Sequence, residues 1–116
     1  MKKQSVLIAL MLSLGVIPAF ADDCYKQLPG TWEYVVERSK DGADTMGRLE
    51  YKPDGTMVAT IPKYNITATG TYTVQDQQIR TVFGKQERTF VITACTPDTM
   101  TNKRDDGKVE QFKRIK

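Results

Sequence analysis

Cys24 and Cys95 carry the most distinctive reactive groups in this sequence. Two thiols can form a disulfide, act as a redox pair or bind a metal. The chain has no Cys-x-x-Cys motif and no histidine, and two distant thiolates alone do not make a zinc site. The cysteines are therefore predicted to form a structural disulfide, which stabilises a fold by about 4 kcal/mol when it closes a loop of roughly 70 residues.

Residue combinations that support catalysis are absent from the sequence. No serine lies in a Gly-x-Ser-x-Gly context, and no histidine is present to act as a general base. Asp41 and Asp44, like Asp105 and Asp106, lie in polar loops beside basic residues, and neither pair has the spacing of a calcium-binding loop. The sequence predicts a protein that is not an enzyme and that has no metal site and no cofactor.

The first 21 residues have the three parts of a secretory signal peptide. Lys2 and Lys3 precede an apolar run, and Ala19-Phe20-Ala21 provides a small-x-small cleavage site. The run is too short and wrongly flanked for a spanning helix, although a retained anchor is the alternative. We expect a soluble exported chain, residues 22–116, located in the periplasm or secreted, with no integral membrane segment. Export also places both cysteines where disulfides form and persist.

The net charge argues against nucleic-acid binding. The whole chain has 17 basic and 14 acidic residues, and removal of Lys2 and Lys3 leaves 15 basic residues and a formal charge of +1. The remaining basic residues alternate with acids instead of forming a patch. Residues 22–116 are long enough for one domain, but a domain of this size buries only about two thirds of its unfolded surface, so a disulfide would help.

A repeated two-residue alternation predicts the fold. In the segment 30–38, Trp32, Tyr34 and Val36 share one face, and the other face is mostly polar. The same pattern recurs in segments 47–52, 56–61, 67–74, 78–83, 87–95, 99–103 and 109–114. Short turn sequences separate most of these segments, and no helix is predicted between them. We predict an all-β, antiparallel up-and-down barrel of eight strands, with an open sandwich as the alternative.

The inward faces of these strands contain the candidate ligand-binding residues. The interior of an eight-stranded barrel is just wide enough for side chains or for one small ligand. The candidates are Tyr34, Tyr51, Met57, Tyr72, Phe90 and Phe112. A buried phenol needs a hydrogen-bond partner, which a ligand can provide. The alternative is that these bulky side chains simply fill the core.

Four short motifs resemble those of small bacterial lipocalin-like (calycin-type) domains. They are Gly30-Thr31-Trp32, the Gly-x-Leu-x-Tyr-x-x-Asp-Gly-Thr run at 47–56, Gly70-Thr71-Tyr72 and Phe112-Lys113-Arg114. In lipocalins the tryptophan of the first strand packs under a late arginine that closes one end of the barrel. The resemblance therefore implies that Trp32 and Arg114 form a structural pair, worth roughly 0.5 to 2 kcal/mol.

The predicted function follows from the resemblance and the predicted interior. We expect an exported, non-enzymatic binding domain that holds a small apolar ligand in the barrel. The alternative is a protein–protein interaction module, such as an inhibitor or immunity-type partner of a periplasmic or secreted enzyme. Such a module would act through the loop at 39–46 and the break at 62–65, because rigid scaffolds commonly present function on loops.

Overall fold

Eight strands make up most of the described chain, which in this computed structural model comprises residues 23–116. In order they are β1 (Gly30–Glu37), β2 (Thr45–Tyr51), β3 (Thr56–Ile61), β4 (Ile66–Gln75), β5 (Gln78–Phe83), β6 (Gln86–Cys95), β7 (Thr99–Arg104) and β8 (Val109–Arg114). Each strand pairs antiparallel with the next, and β8 pairs with β1, so the sheet closes. The predicted all-β, eight-stranded up-and-down barrel is confirmed.

The predicted signal peptide, residues 1–21, lies outside the described residues, as does Asp22. Among residues 23–116, no helix is long and apolar enough to cross a membrane.

The strand boundaries follow the sequence pattern closely. Strands β3, β5 and β8 have the predicted bounds, whereas β2 begins two residues earlier than predicted. The reason is an irregularity in β1 between Val35 and Glu37, after which Glu37 pairs with Thr45. Such an irregularity is a β-bulge, in which one strand, here β1, has an extra residue opposite its partner. Beyond the bulge, β1 and β2 pair again, and β2 therefore begins at Thr45.

Alternation decides which side chains fill the barrel. Trp32 of β1 lies opposite Leu49 of β2, and Tyr51 lies opposite Met57 of β3, so the larger apolar side chains meet inside. The fully or nearly fully buried apolar residues are Cys24, Leu28, Trp32, Tyr51, Met57, Ile79, Ile92, Met100 and Phe112. Burial of apolar area at roughly 25 cal/mol per Å² makes this cluster the main source of stability.

The barrel has two distinct ends. Residues 23–29 and the turns β2–β3, β4–β5 and β6–β7 lie at one end, which we call the arm end. The loops β1–β2, β3–β4, β5–β6 and β7–β8 lie at the other, which we call the loop end. The longest connection between strands, from Glu37 to Thr45, is at the loop end.

Residues 23–29 are tied across the arm end. The predicted disulfide is confirmed, because Cys24 and Cys95 are bonded with their Cα atoms 5.9 Å apart. The hydroxyl of Tyr25 accepts a hydrogen bond of 3.2 Å from the amide of Ile92 and donates one to the carbonyl of Gln77. The arm is therefore fixed to β6 at two points and to the β4–β5 turn.

Two short helical segments were not predicted. Residues 23–26 form one helical turn in the arm. A 3₁₀ turn, Pro62–Tyr64, joins β3 to β4, so the expectation of no helix between strands is wrong at this point. Pro62 begins the turn with its fixed φ, and Asn65 ends it in the left-handed region with a φ of 55°.

Candidate functional site

Trp32 lies at the arm end of the barrel interior, where almost none of its surface is exposed. Its Nε1 donates a 2.9 Å hydrogen bond to the carbonyl of Leu28 in the arm, so its one polar atom is satisfied. The guanidinium carbon of Arg114 lies 4.3 Å from the centroid of its ring, which is within cation–π distance. The indole is therefore enclosed on both sides and is not available to a ligand.

The guanidinium of Arg114 also binds the surrounding backbone. Its Nε donates to the carbonyl of Pro97 at 2.8 Å, its Nη1 to that of Pro29 at 3.0 Å, and its Nη2 to that of Gln27. A Cβ atom on Gly30 would overlap Nη1, so only glycine leaves room for this arrangement. Arg114 thus joins the arm, the β6–β7 turn and β8, and it closes the arm end.

Two of the candidate ligand-binding residues, Tyr51 and Met57, belong to the buried core, and a third, Tyr72, is partly buried and packs against it. Tyr51 and Met57 are each about 1% exposed. The rings of Tyr51 and Tyr72 pack edge to face with centroids 5.0 Å apart. The hydroxyl of Tyr72 donates a 2.6 Å hydrogen bond to the carbonyl of Lys52, which already satisfies it. Phe90, also a candidate, is half-buried and lies opposite the buried Ile79.

Burial and charge keep the inner phenols protonated. Burial raises the pKa of Tyr51 well above its usual range, and the nearby carboxylate of Glu110 adds to the effect. Burial first and Glu110 second also raise the pKa of Tyr34. These side chains can therefore act as neutral hydrogen-bond donors or acceptors at physiological pH, but not as phenolate bases.

The seam between β1 and β8 is paired over only part of its length. Trp32 pairs with Arg114 and Glu33 pairs with Lys113, and the pairing does not extend further toward the loop end. The next residues that would bond across the seam are Val35 and Gln111, because successive backbone groups of a strand point alternately to its two neighbours. The two strands therefore separate toward the loop end.

A cleft of about 850 Å³ lies at this separation. The inner-face residues that line it are Tyr34, Val36, Met100, Glu110 and Phe112, and outer-face residues of β1, β7 and β8 form its rim. Because residues of both faces contribute, the cleft passes from the barrel surface toward the interior. Of the six candidate ligand-binding residues, Tyr34 and Phe112 line this cleft, and Tyr51, Met57, Tyr72 and Phe90 do not.

Local sequence explains the position of Tyr34 in the cleft. Its strand partner is Gly47, and a Cβ atom there would come within 2.9 Å of the tyrosine ring. The ring therefore lies over a residue without a side chain and packs against Phe112, with centroids 5.3 Å apart. Together the two rings form an apolar wall with one phenolic hydroxyl.

The inner face near the loop end is more polar than the core. Asn102 of β7 is about 1% exposed, and neither its Nδ2 nor its Oδ1 has a hydrogen-bond partner among the described residues. It lies directly opposite Glu110 of β8, which lines the cleft. Native proteins leave few buried polar groups unpaired, because each costs about 1–3 kcal/mol. Asn102 is therefore a candidate polar contact beside the cleft.

Basic and acidic groups at the β7–β8 turn bind one another. Arg104 donates two hydrogen bonds to Asp106, the shorter at 2.5 Å, and Arg88 lies 3.4 Å from a carboxylate oxygen of Asp105. Arg104 and then the Lys108 amide hold the pKa of Asp106 well below its usual range.

Within residues 23–116, no group of three or more acids, cysteines or histidines could hold a metal ion.

The sequence analysis did not identify four residues at or beside the cleft: Val36, Met100, Asn102 and Glu110. The alternation that places Phe112 and Arg114 on the inner face also places Glu110 there, so the sequence alone could have indicated an inward carboxylate.

Comparison of the chain with protein-family models and with curated proteins finds no match.

Proposed function

We propose that this protein is an exported, non-enzymatic binding domain of the lipocalin-like type, and that it holds a small, largely apolar ligand in the cleft between β1 and β8. The cleft carries this proposal. Its volume of about 850 Å³ lies within the range of roughly 300–1,000 Å³ that is typical of small-molecule sites. Its inner wall combines aromatic and aliphatic side chains with a few polar groups, as such sites usually do.

In this proposal the ligand contacts only those inward side chains that line the cleft. Tyr34 and Phe112 provide the aromatic wall, and Val36 and Met100 extend it. Tyr51, Met57 and Tyr72 take a supporting role instead, because their packing keeps the interior behind the cleft rigid. A ligand held at the seam would replace water against these apolar surfaces, which is the main driving force for its binding.

The lipocalin-like assignment is supported by the barrel topology and by the contact between Trp32 and Arg114 at the closed arm end. Export is supported by the Cys24–Cys95 disulfide, because such bonds persist in oxidising compartments. The signal-peptide pattern at residues 1–21 points the same way.

Native mass spectrometry of the protein purified from its own host tests the proposal. We expect a complex with a small molecule that is released on unfolding. Val35 lines the mouth of the cleft from the outer face, so Val35→Trp should reduce the bound fraction. Val91→Trp is the matched control, because Val91 is an outer-face valine on β6, away from the cleft. A ligand-free wild-type protein would contradict the proposal, as would equal loading of both variants.

A second candidate function is protein–protein interaction, and the unpaired part of the seam favours it. Backbone groups of β1 and β8 beyond Glu33 and Lys113 have no partner across the seam. Such edges accept an extended segment of another protein as an added strand. Val109, which is 56% exposed at this edge, could pack against it. In the same experiment, this function predicts a captured polypeptide in place of a small molecule.

A further inference from the structure

We propose that the cleft selects ligands that carry a positively charged amine next to an apolar chain. This inference rests on the proposed function, since it names the ligand class of the same cleft. Two observations on residues 23–116 carry it: Glu110, on the inner wall of the cleft, has no ion-pair partner there, and the side chain of Asn102, which lies opposite it, is buried without a hydrogen-bond partner there.

Glu110 lies on β8 two residues before Phe112, so both side chains are on the inner face. Its surroundings are partly buried, and they include the rings of Tyr34 and Tyr51, whose pKa values its charge raises. Among residues 23–116 no basic side chain lies within salt-bridge distance of Glu110. A carboxylate in such a place is costly unless it meets a cation or donors.

Arg104, a half-buried basic side chain of β7, already binds an acidic partner. It holds Asp106 through two hydrogen bonds, and Arg88 next to it contacts both Asp105 and Asp106. Asp106 first, and Glu110 more weakly, raise the pKa of Arg104, so Arg104 and Glu110 attract one another at longer range. Within residues 23–116, however, no basic side chain is in ion-pair contact with Glu110. A ligand cation would therefore gain an ion-pair contact that these side chains do not supply.

The charged side chains of the rim belong to the outer face or to the turns. Arg38 lies 3.7 Å from Asp44, and Lys108 and Lys113 are exposed. Because solvent and salt screen exposed charges strongly, they repel a cation in the cleft only weakly. The carboxylate on the inner wall is less screened and determines the preference.

Asn102 adds hydrogen-bonding capacity next to this carboxylate. Directly opposed residues of an antiparallel pair have their Cβ atoms about 4.5–5.5 Å apart, so Asn102 and Glu110 lie within reach of one headgroup. A primary ammonium has three donors, and it can donate to the Glu110 carboxylate and to Oδ1 of Asn102 together. The headgroup would thereby satisfy a buried acceptor.

The aromatic wall suits the same ligand class. Tyr34 and Phe112 flank the approach to Glu110, and a cation close to an aromatic face gains about 0.5–2 kcal/mol. Val36 and Met100 continue the wall with apolar surface for the attached chain. Carboxylate, aromatic rings and aliphatic surface together match an alkyl or aryl amine better than they match a neutral alcohol or a fatty acid.

Isothermal titration calorimetry with three probes of equal chain length tests the inference on the disulfide-bonded protein. The probes are octylammonium, octanol and octanoate. We expect octylammonium to bind about tenfold or more tightly than octanol, which corresponds to about 1.4 kcal/mol, and octanoate to bind most weakly. Glu110→Gln should remove the preference for octylammonium. Glu33→Gln, which changes a rim carboxylate of the same cleft, should retain it.

The outcomes separate this inference from the proposed function. Equal affinity for octylammonium and octanol in the wild-type protein overturns the inference and leaves the proposed function standing. So does a preference that survives Glu110→Gln in a protein whose circular dichroism matches the wild type. Failure of all three probes to bind contradicts the proposed function itself.

Discussion

The guanidinium carbon of Arg114 lies 4.3 Å from the ring centroid of Trp32, and the two residues are direct partners in the β1–β8 pair. This contact closes the arm end of the seam. One residue further along, Glu33 pairs with Lys113, and beyond that pair the strands separate and the cleft begins. The same two strands thus close the seam at the arm end and border the cleft toward the loop end.

Arg114→Lys tests the closure. Lysine keeps the charge but loses the planar stacking and most of the donors that reach the three carbonyl groups, so we expect a loss of about 1–3 kcal/mol in the free energy of unfolding. Trp32 is the only tryptophan, and its emission should shift to longer wavelength as water reaches the indole. The control is Arg80→Lys, because Arg80 is exposed and, among residues 23–116, its ion-pair partner is Glu87, which is also exposed. Equal stability and emission in both variants would contradict the role given to Arg114.

The disulfide is expected to contribute strongly to stability. Cys24 and Cys95 are 71 residues apart, and in the chain-entropy model a bridge of this span contributes about 4 kcal/mol. The double variant Cys24→Ser with Cys95→Ser should therefore lose up to about 4 kcal/mol in urea unfolding. An unchanged unfolding midpoint would contradict this contribution and would show that the other arm contacts are sufficient to hold it.

The raised pKa of Tyr51 predicts sensitivity to alkaline pH. The folded state keeps this phenolic proton to higher pH than the unfolded state, whose tyrosine pKa is about 10. The stability linked to this group is therefore complete below about pH 10 and declines as the pH rises above that value. Tyr51→Phe cannot ionise, so its free energy of unfolding should fall less between about pH 8 and about pH 11. Parallel losses in the two proteins would refute this prediction.

Local alternation and turn chemistry were enough to predict the architecture. Two predictions rested on single segments. The threonine-rich alternation predicted strand β4, and Pro53-Asp54-Gly55 predicted a turn before β3; both are confirmed. Gly55 has a φ of 90°, and Asp54 Oδ1 accepts a 3.0 Å hydrogen bond from the Thr56 amide, as that turn sequence predicts. The disulfide was predicted because the sequence has only two cysteines and its first 21 residues have the pattern of a secretory signal peptide.

The site could not be predicted in the same way, because it depends on how far two strands distant in sequence pair. Nothing in the residues of β1 or β8 taken alone indicates that pairing stops after Glu33 and Lys113. The inward position of Tyr72 was evident, but the carbonyl of Lys52 that satisfies its hydroxyl comes from a turn whose geometry emerges only on folding. Likewise, Asn102 is recognisable as unpaired only when all its neighbours are known.

The central claim is that the cleft between β1 and β8 holds an apolar ligand, and a nuclear magnetic resonance titration of the isotope-labelled protein with octanol tests it most directly. We predict saturable shift changes at the backbone amides of Tyr34, Val36, Glu110 and Phe112, with little change at the arm end around Leu28. Val35→Trp should weaken these changes, and Val91→Trp should not. Shift changes confined to other surfaces, such as the Ser39–Asp44 loop, or no saturable change at all, would contradict the claim.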